Sequence, residues 1–434
     1  MLTNFERWRI YTQDLCSPQN YIDWTWRFIV SAALQRRVWL GIGSLKCFAT
    51  SYNVLVGNPG IGKGVVLRKA DQLLSHWKVQ DSLIIPPDRK KALSPQQLQE
   101  PLIKTAPNAS TYEALCSLLA KATSFVCYKE INGSGFAEEK IYSHASLCFC
   151  LQELGSLFRK HTNDLITFLR EMYDCNEKDF TYITIGRGED RIRRGCLSFI
   201  AGADPDFMQE LFNDKLIEGG FLSRTFFIYS KRNRKSVFTP PDPTQEQIEC
   251  EHTLLEHVRK LTTLYGRVAI DKETLDYLQN WWSDYNDNVL PNKPSKLNYF
   301  GARMNLHVMK VALANHFGES LEMTIPLWEF KRAIEILSEE ENNMCQALMI
   351  EQHTQVSKCV KRVLECLLKG PKNFVDLYCD TVGIASKEEL TEALQFLQDK
   401  GSISALGVES KTTGKVTMQY QLKGQQNDSS RTGS

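Results

Sequence analysis

From Tyr21 to about Ser51 apolar residues recur at helical spacing, with Trp24, Phe28, Ile29, Ala32 and Leu34 on one face and Arg36 and Arg37 near the end, and the pattern predicts a helix. The run Tyr52 to Val56 is too short for a helix and is bounded by Gly57-Asn58-Pro59-Gly60, which predicts a buried strand feeding a glycine loop. Val65 to Lys78 reads as helix. Prolines, glutamines and lysines between Asp81 and Pro107 predict a surface excursion with a short helix near Ser94 to Lys104. A helix over Thr111 to Thr123, strands over Phe125 to Glu130 and Leu147 to Leu151, and a mostly helical Glu153 to Asp174 follow. From Phe180 to Ile200 the chain alternates around Gly186-Arg187-Gly188, the pattern of a hairpin running into a core strand. Strands and helices alternating after a glycine loop predict an α/β fold with a parallel sheet.

Lys231 to Gln247 is basic and then proline-rich, as in a linker, and the chain beyond it is helical almost to Gln355. Residues 356–423 have their own order: three helices, then two strands around Lys411-Thr412-Thr413-Gly414-Lys415. That order describes a winged helix, and Ser386 with Glu389 forms a capping box for its third helix. Residues 424–434 contain no apolar side chain and are expected to be disordered. The expected organisation is an N-terminal helical segment (1–50), a nucleotide-binding core (51–235), a helical lid (236–355), a winged helix (356–423) and a tail.

Composition narrows the classes. With 52 Lys+Arg against 51 Asp+Glu over 434 residues, the net charge is +1, which excludes a disordered or polybasic chain. Any nucleic-acid contact must then come from a local patch. The 13 cysteines form no CxxC pair, and Cys148 and Cys150 in an apolar run read as small buried hydrophobes. No apolar run reaches the roughly 18 residues a membrane span needs, and the first residues are polar, so no membrane partner and a reducing cytoplasmic or nucleoid setting are expected.

The stretch Gly57, Asn58, Pro59, Gly60, Ile61, Gly62, Lys63, Gly64, Val65 fits G-x-x-x-x-G-K between a strand and a helix. Glycines let backbone N–H groups curl around a phosphate, the helix N-terminus faces the anion, and Lys63 reaches the outer oxygens of ATP. The next position of the pattern calls for a hydroxyl to ligate Mg²⁺, and this chain has Gly64 there. A second acidic motif is supplied by Leu147 to Gly155, but its expected Asp-Glu pair reads Gln152-Glu153. Glu153 is therefore the candidate both to position water and to help hold the metal.

These features, with Phe221 to Tyr229 and the C-terminal unit, resemble in order the ATPase module of AAA+ replicative helicases of the minichromosome maintenance type, over roughly residues 20–423. A closer resemblance is to replication helicases of phages and mobile elements, some of which are fused to a primase. The resemblance implies sensor-1 at Asp204, where an asparagine is usual, an arginine finger at Arg224 that reaches a neighbouring subunit's nucleotide, and sensor-2 at Arg303 on a lid helix. Arginine suits both roles as a fixed, always-protonated donor. A finger supplied in trans implies a head-to-tail homo-oligomer, a hexameric ring.

The resemblance also places the hairpin carrying Arg187, Arg191, Arg193 and Arg194 in a central channel, holding single-stranded DNA. The second cluster, Lys231 to Lys235, reads as linker solvation. The third C-terminal helix carries Glu388, Glu389, Glu392 and Asp399, a poor surface for a major groove, so this unit is expected to dock a protein, such as a separate primase, more than to read sequence. The expected function is an ATP-dependent ring helicase in replication of a phage or mobile element. Two alternatives stand beside it: a non-hydrolysing nucleotide-binding ring or loader, suggested by Gly64 and Gln152, and a winged-helix regulator.

Overall fold

The computed structural model describes residues 2–423, apart from 86, 108–110, 132–136, 159–161, 185–187, 214–219, 233, 235–238, 240, 294, 350–354, 384 and 410–415. Residues 1–347 pack as one compact unit and 348–434 as a second.

The first unit is built around the helix Gln19–Leu34, which buries all but three of its 16 residues, including Tyr21, Trp24, Trp26 and Phe28. It stops sooner than the apolar periodicity suggests. Gln35 takes a left-handed φ of 54°, and residues 38–48 form strands β1 (Val38–Ile42) and β2 (Leu45–Phe48) around Gly43. The expected helix to Ser51 is thus corrected over residues 35–51, more than half of its expected length. Val38 and Ile42 are β-branched, and the glycines at 41 and 43 weaken a helix and suit a tight turn.

The main sheet holds β3 (Tyr52–Val56), β4 (Thr123–Ile131), β5 (Ala137–Leu151), β8 (Gly195–Ala203) and β9 (Thr225–Tyr229) in the order β4-β5-β8-β3-β9. β5, β8, β3 and β9 run parallel, and β4 pairs antiparallel with β5. The protein is a mixed α/β fold on a mostly parallel five-stranded sheet. Every residue of β3 and β8 is buried, as expected for parallel strands covered on both faces. On one face Tyr52 and Phe199 stack at 4.4 Å, and Tyr52 meets Tyr173 of the helix Thr162–Asp174 at 4.9 Å. On the other, Phe226 meets Trp24 of the helix Gln19–Leu34 at 4.9 Å. Cys148 and Cys150 are both buried in β5, as their spacing suggested.

β6 (Phe180–Thr184) and β7 (Gly188–Ile192) form the expected hairpin ahead of β8. β10 (Gly266–Val268) pairs parallel with β1. The other described residues from 245 to 349 are largely helical, and the helix Met304–Glu319 is buried along nearly its whole length. Among the described residues no helix is long and apolar enough to cross a membrane.

In the second unit the helices Gln355–Leu367, Phe374–Thr381 and Lys387–Asp399 precede an antiparallel sheet β11-β13-β12 made of Lys372–Asn373, Val416–Leu422 and Ile403–Glu409. Val363, Leu367, Leu377, Leu390 and Leu394 form its core. The capping box is present, with Ser386 Oγ accepting from Glu389 N and Glu389 Oε2 accepting from Ser386 N. Lys411, Lys415 and residues 424–434 lie outside the described residues.

Candidate functional site at the carboxyl edge of the sheet

β3 ends at Val56 between β8 and β9, so the loop that follows leaves the carboxyl edge of three parallel strands. Open α/β sheets bind ligands at that edge. Asn58, Pro59 and Gly60 are exposed, while Ile61 turns inward with its N–H donating to Asn58 O. Gly62 has a φ of 96° and caps the helix Lys63–His76. A Cβ there would also stand 2.9 Å from the Ser17 backbone, so conformation and space both call for glycine.

The loop is held from behind by residues that local pattern does not point to. Tyr21 Oη donates to Val56 O at 2.5 Å, and Ser17 Oγ donates to Gly62 O at 2.7 Å. Arg234 secures the segment carrying Ser17, donating to the carbonyls of Thr12, Gln13 and Leu15. This corrects the reading of Lys231 to Lys235 as solvation for one member: Arg234 is half-buried and bonded, while Lys231 and Arg232 are exposed. Its contacts span more than 200 residues of sequence, so no local signal carries them.

Lys63 opens the helix. Its ammonium donates to Gly57 O and, at 3.0 Å, to Ala203 O, which places it between the ends of β3 and β8. Burial lowers its pKa, opposed by the negative charges of Asp204 and Glu153. Both predicted acids therefore lie near the predicted lysine. Asp204 follows β8 directly, and its Oδ1 accepts from Phe207 N at 2.8 Å, capping the next helix. Glu153 is exposed, two residues past the end of β5.

The residues beside Lys63 do not make the hydroxyl and aspartate pair that would hold magnesium next to such a loop. A Cβ on residue 64 would stand 2.4 Å from Gln152 Oε1, so a neutral amide fills the space of the missing hydroxyl side chain. Among the described residues no group of three or more His, Cys, Asp or Glu is placed to hold a metal ion.

Arg224 and Arg303 lie at the other edge. Thr225, the residue after Arg224, pairs with Tyr52 at the start of β3, so about five residues of strand at roughly 3.3 Å each separate Arg224 from the loop. Arg224 is buried and grips Asp174 with two nitrogens, at 2.5 and 3.1 Å. Arg303 Nη2 reaches the same carboxylate at 2.7 Å. Burial alone would raise the Asp174 carboxyl, but the two arginines bring it below its ordinary value. The structure thus joins Arg224 and Arg303 to each other and separates both from Lys63 of the same chain.

The hairpin arginines divide further. Arg187 lies outside the described residues. Arg191 is exposed and pairs with Asp179 at 2.9 Å, and Arg193 is exposed. Arg194, at a left-handed φ of 46°, folds over the Tyr142 ring at 4.8 Å and donates to Ser143 O. Compared with known proteins, the chain matches no family model and has no significant match among curated sequences.

Proposed function

We propose that the chain is a P-loop protein of the AAA+ helicase type that binds ATP on residues 57–65 and, as a head-to-tail ring, translocates on single-stranded DNA in the replication of a phage or mobile element. The observation that carries this reading is the position of Lys63, between the ends of two parallel strands, at the start of a helix and beside two acids. There its ammonium and the loop amides would bind phosphate oxygens, and Glu153 would orient a water. Arg224 and Arg303 stand apart from Lys63 of their own chain, as a role on a neighbouring subunit's nucleotide requires, and the buried Arg224 would have to leave Asp174 and Gly220 to reach it. The second unit, three helices and a small antiparallel sheet, is read as a winged helix that docks a separate replication partner.

The neutral contact of Gln152 with the Gly64 position favours a second reading, in which nucleotide serves mainly as glue between subunits. Steady-state ATP turnover with and without single-stranded DNA, together with oligomer mass, separates the two. The motor reading expects DNA-stimulated turnover that Lys63→Ala abolishes. Nucleotide-dependent rings with no turnover above that variant would establish the glue reading instead, and a chain that neither binds nucleotide nor assembles excludes both.

A further inference from the structure

Away from the loop, a cavity of about 460 Å³ lies where β1 and β2 meet the β4–β5 hairpin. Its lining is aromatic: Trp39 from β1, Tyr128 and Tyr142 from the hairpin, and Tyr265 just ahead of β10. In antiparallel register Val126 faces Tyr142 and Tyr128 faces Lys140, so Tyr128 and Tyr142 are diagonal neighbours on one face. Tyr265 is the hub, with ring centroids 4.5 Å from Tyr128, 5.5 Å from Tyr142 and 5.6 Å from Trp39, at interplanar angles of 37°, 48° and 73°. The four rings make a cup instead of a filled stack, and each stays half-buried.

The rim is cationic. Lys46 Nζ stands 5.5 Å from the Trp39 ring, and the Arg194 guanidinium lies over Tyr142. Both cations share one carboxylate, Glu177, at 3.1 and 3.6 Å, and the buried Arg36 takes the same carboxylate at 3.3 Å while donating to Tyr142 Oη. Three cations on one acid leave positive charge at the mouth of an aromatic cup. The left-handed backbone of Arg194 is a conformation that non-glycine residues rarely hold, and it turns this side chain back over Tyr142. Arg194 follows Arg193 on the turn between β7 and β8, so the cup continues the basic hairpin.

We propose that this cup takes one unpaired base of a DNA single strand, stacked on the tyrosine faces, with the adjoining phosphates at Lys46 and Arg194. Aromatic faces beside cations are the chemistry of sequence-tolerant single-strand binding, because every base offers a π-face and every linkage a charge. This rests on the reading that the chain works on single-stranded DNA and adds where a base is held.

The test measures binding of the full chain to a dT oligonucleotide, to the same backbone made abasic, and to free dTMP as competitor. The expected result is at least tenfold tighter binding of the oligonucleotide than of the abasic strand, no competition by millimolar dTMP, and loss of the preference in Tyr128→Ala/Tyr265→Ala. Tyr128→Phe/Tyr265→Phe, which keeps both rings, should retain the preference, and exposed Lys46→Glu should weaken both strands without unfolding the protein. Equal binding of the normal and abasic strands, or a preference that survives ring removal, overturns the base site and leaves single-strand binding standing. Effective competition by dTMP reassigns the cup to a free nucleotide and overturns the strand claim. Failure of the wild type to bind either strand defeats the single-strand reading itself.

Discussion

Gln152 Oε1 lies where a side chain on residue 64 would begin, 2.4 Å from the Cβ position of Gly64. The two departures from the phosphate-loop pattern, far apart in sequence, are therefore one site in space. Restoring either alone is unfavourable for opposite reasons. A hydroxyl at 64 meets the amide, and an aspartate at 152 would face a position with no hydroxyl beside it.

Gly64→Ser should thus destabilise the protein by no more than about 1 kcal/mol, because the one group it meets is the movable end of the Gln152 side chain. Gly64→Ser/Gln152→Ala should recover most of the loss, because the shorter side chain vacates that space. Thermal unfolding of the two single variants and the double variant gives the coupling directly. Additive effects would show that the amide simply swings aside.

Asp174 holds two arginines, one of them buried. Asp174→Asn should cost about 3 kcal/mol, since Arg224 keeps its charge without a carboxylate to balance it. In denaturant melts, Arg224→Met combined with Asp174→Asn should be less damaging than Asp174→Asn alone. A double variant that is worse than the single would argue that the pair contributes little through its charge.

Glu340 supplies a pH signature. Burial raises its carboxyl from the ordinary 4.5 to about 8, with the Arg27 charge acting in the opposite direction. The folded state therefore holds a proton that the unfolded chain releases, so this contribution to stability is complete below about pH 4.5 and is lost as pH rises through about 8. Melting temperatures from pH 5 to 9 should fall more steeply for wild type than for Glu340→Gln, which carries no titrating proton. Parallel slopes would refute the assignment.

Arg191 and Arg193 are the exposed hairpin cations among the described residues of that turn. Replacing both with alanine should weaken single-strand binding and flatten its dependence on salt, by roughly 0.7 in log–log slope for each phosphate that is no longer neutralised. Titrations at three salt concentrations suffice. An unchanged slope would remove this hairpin from the DNA path.

Local pattern made much of the fold legible. The short run Tyr52 to Val56, apolar but for Asn53 and followed by glycines, read as a buried strand and a turn, and the alternation after Phe180 as a hairpin, because period and turn chemistry are properties of neighbouring residues. Beyond Leu34 the pattern failed. Periodicity alone does not distinguish a helix's last turns from two short strands, and beside its local partner β2, β1 pairs with β10, more than 200 residues away.

The candidate site divides the same way. Lys63, Glu153 and Asp204 were legible because each follows an apolar strand, and parallel strands deliver their ends to one edge. Only the tertiary structure decided that Ser17, Tyr21 and Arg234 brace the loop, that Gln152 occupies the space beside Gly64, that Arg224 and Arg303 converge on Asp174, and that four aromatic residues spread from 39 to 265 form one cup. Each joins segments whose separation along the chain leaves no trace in local spacing, and long-range packing alone brings such groups within a few ångströms.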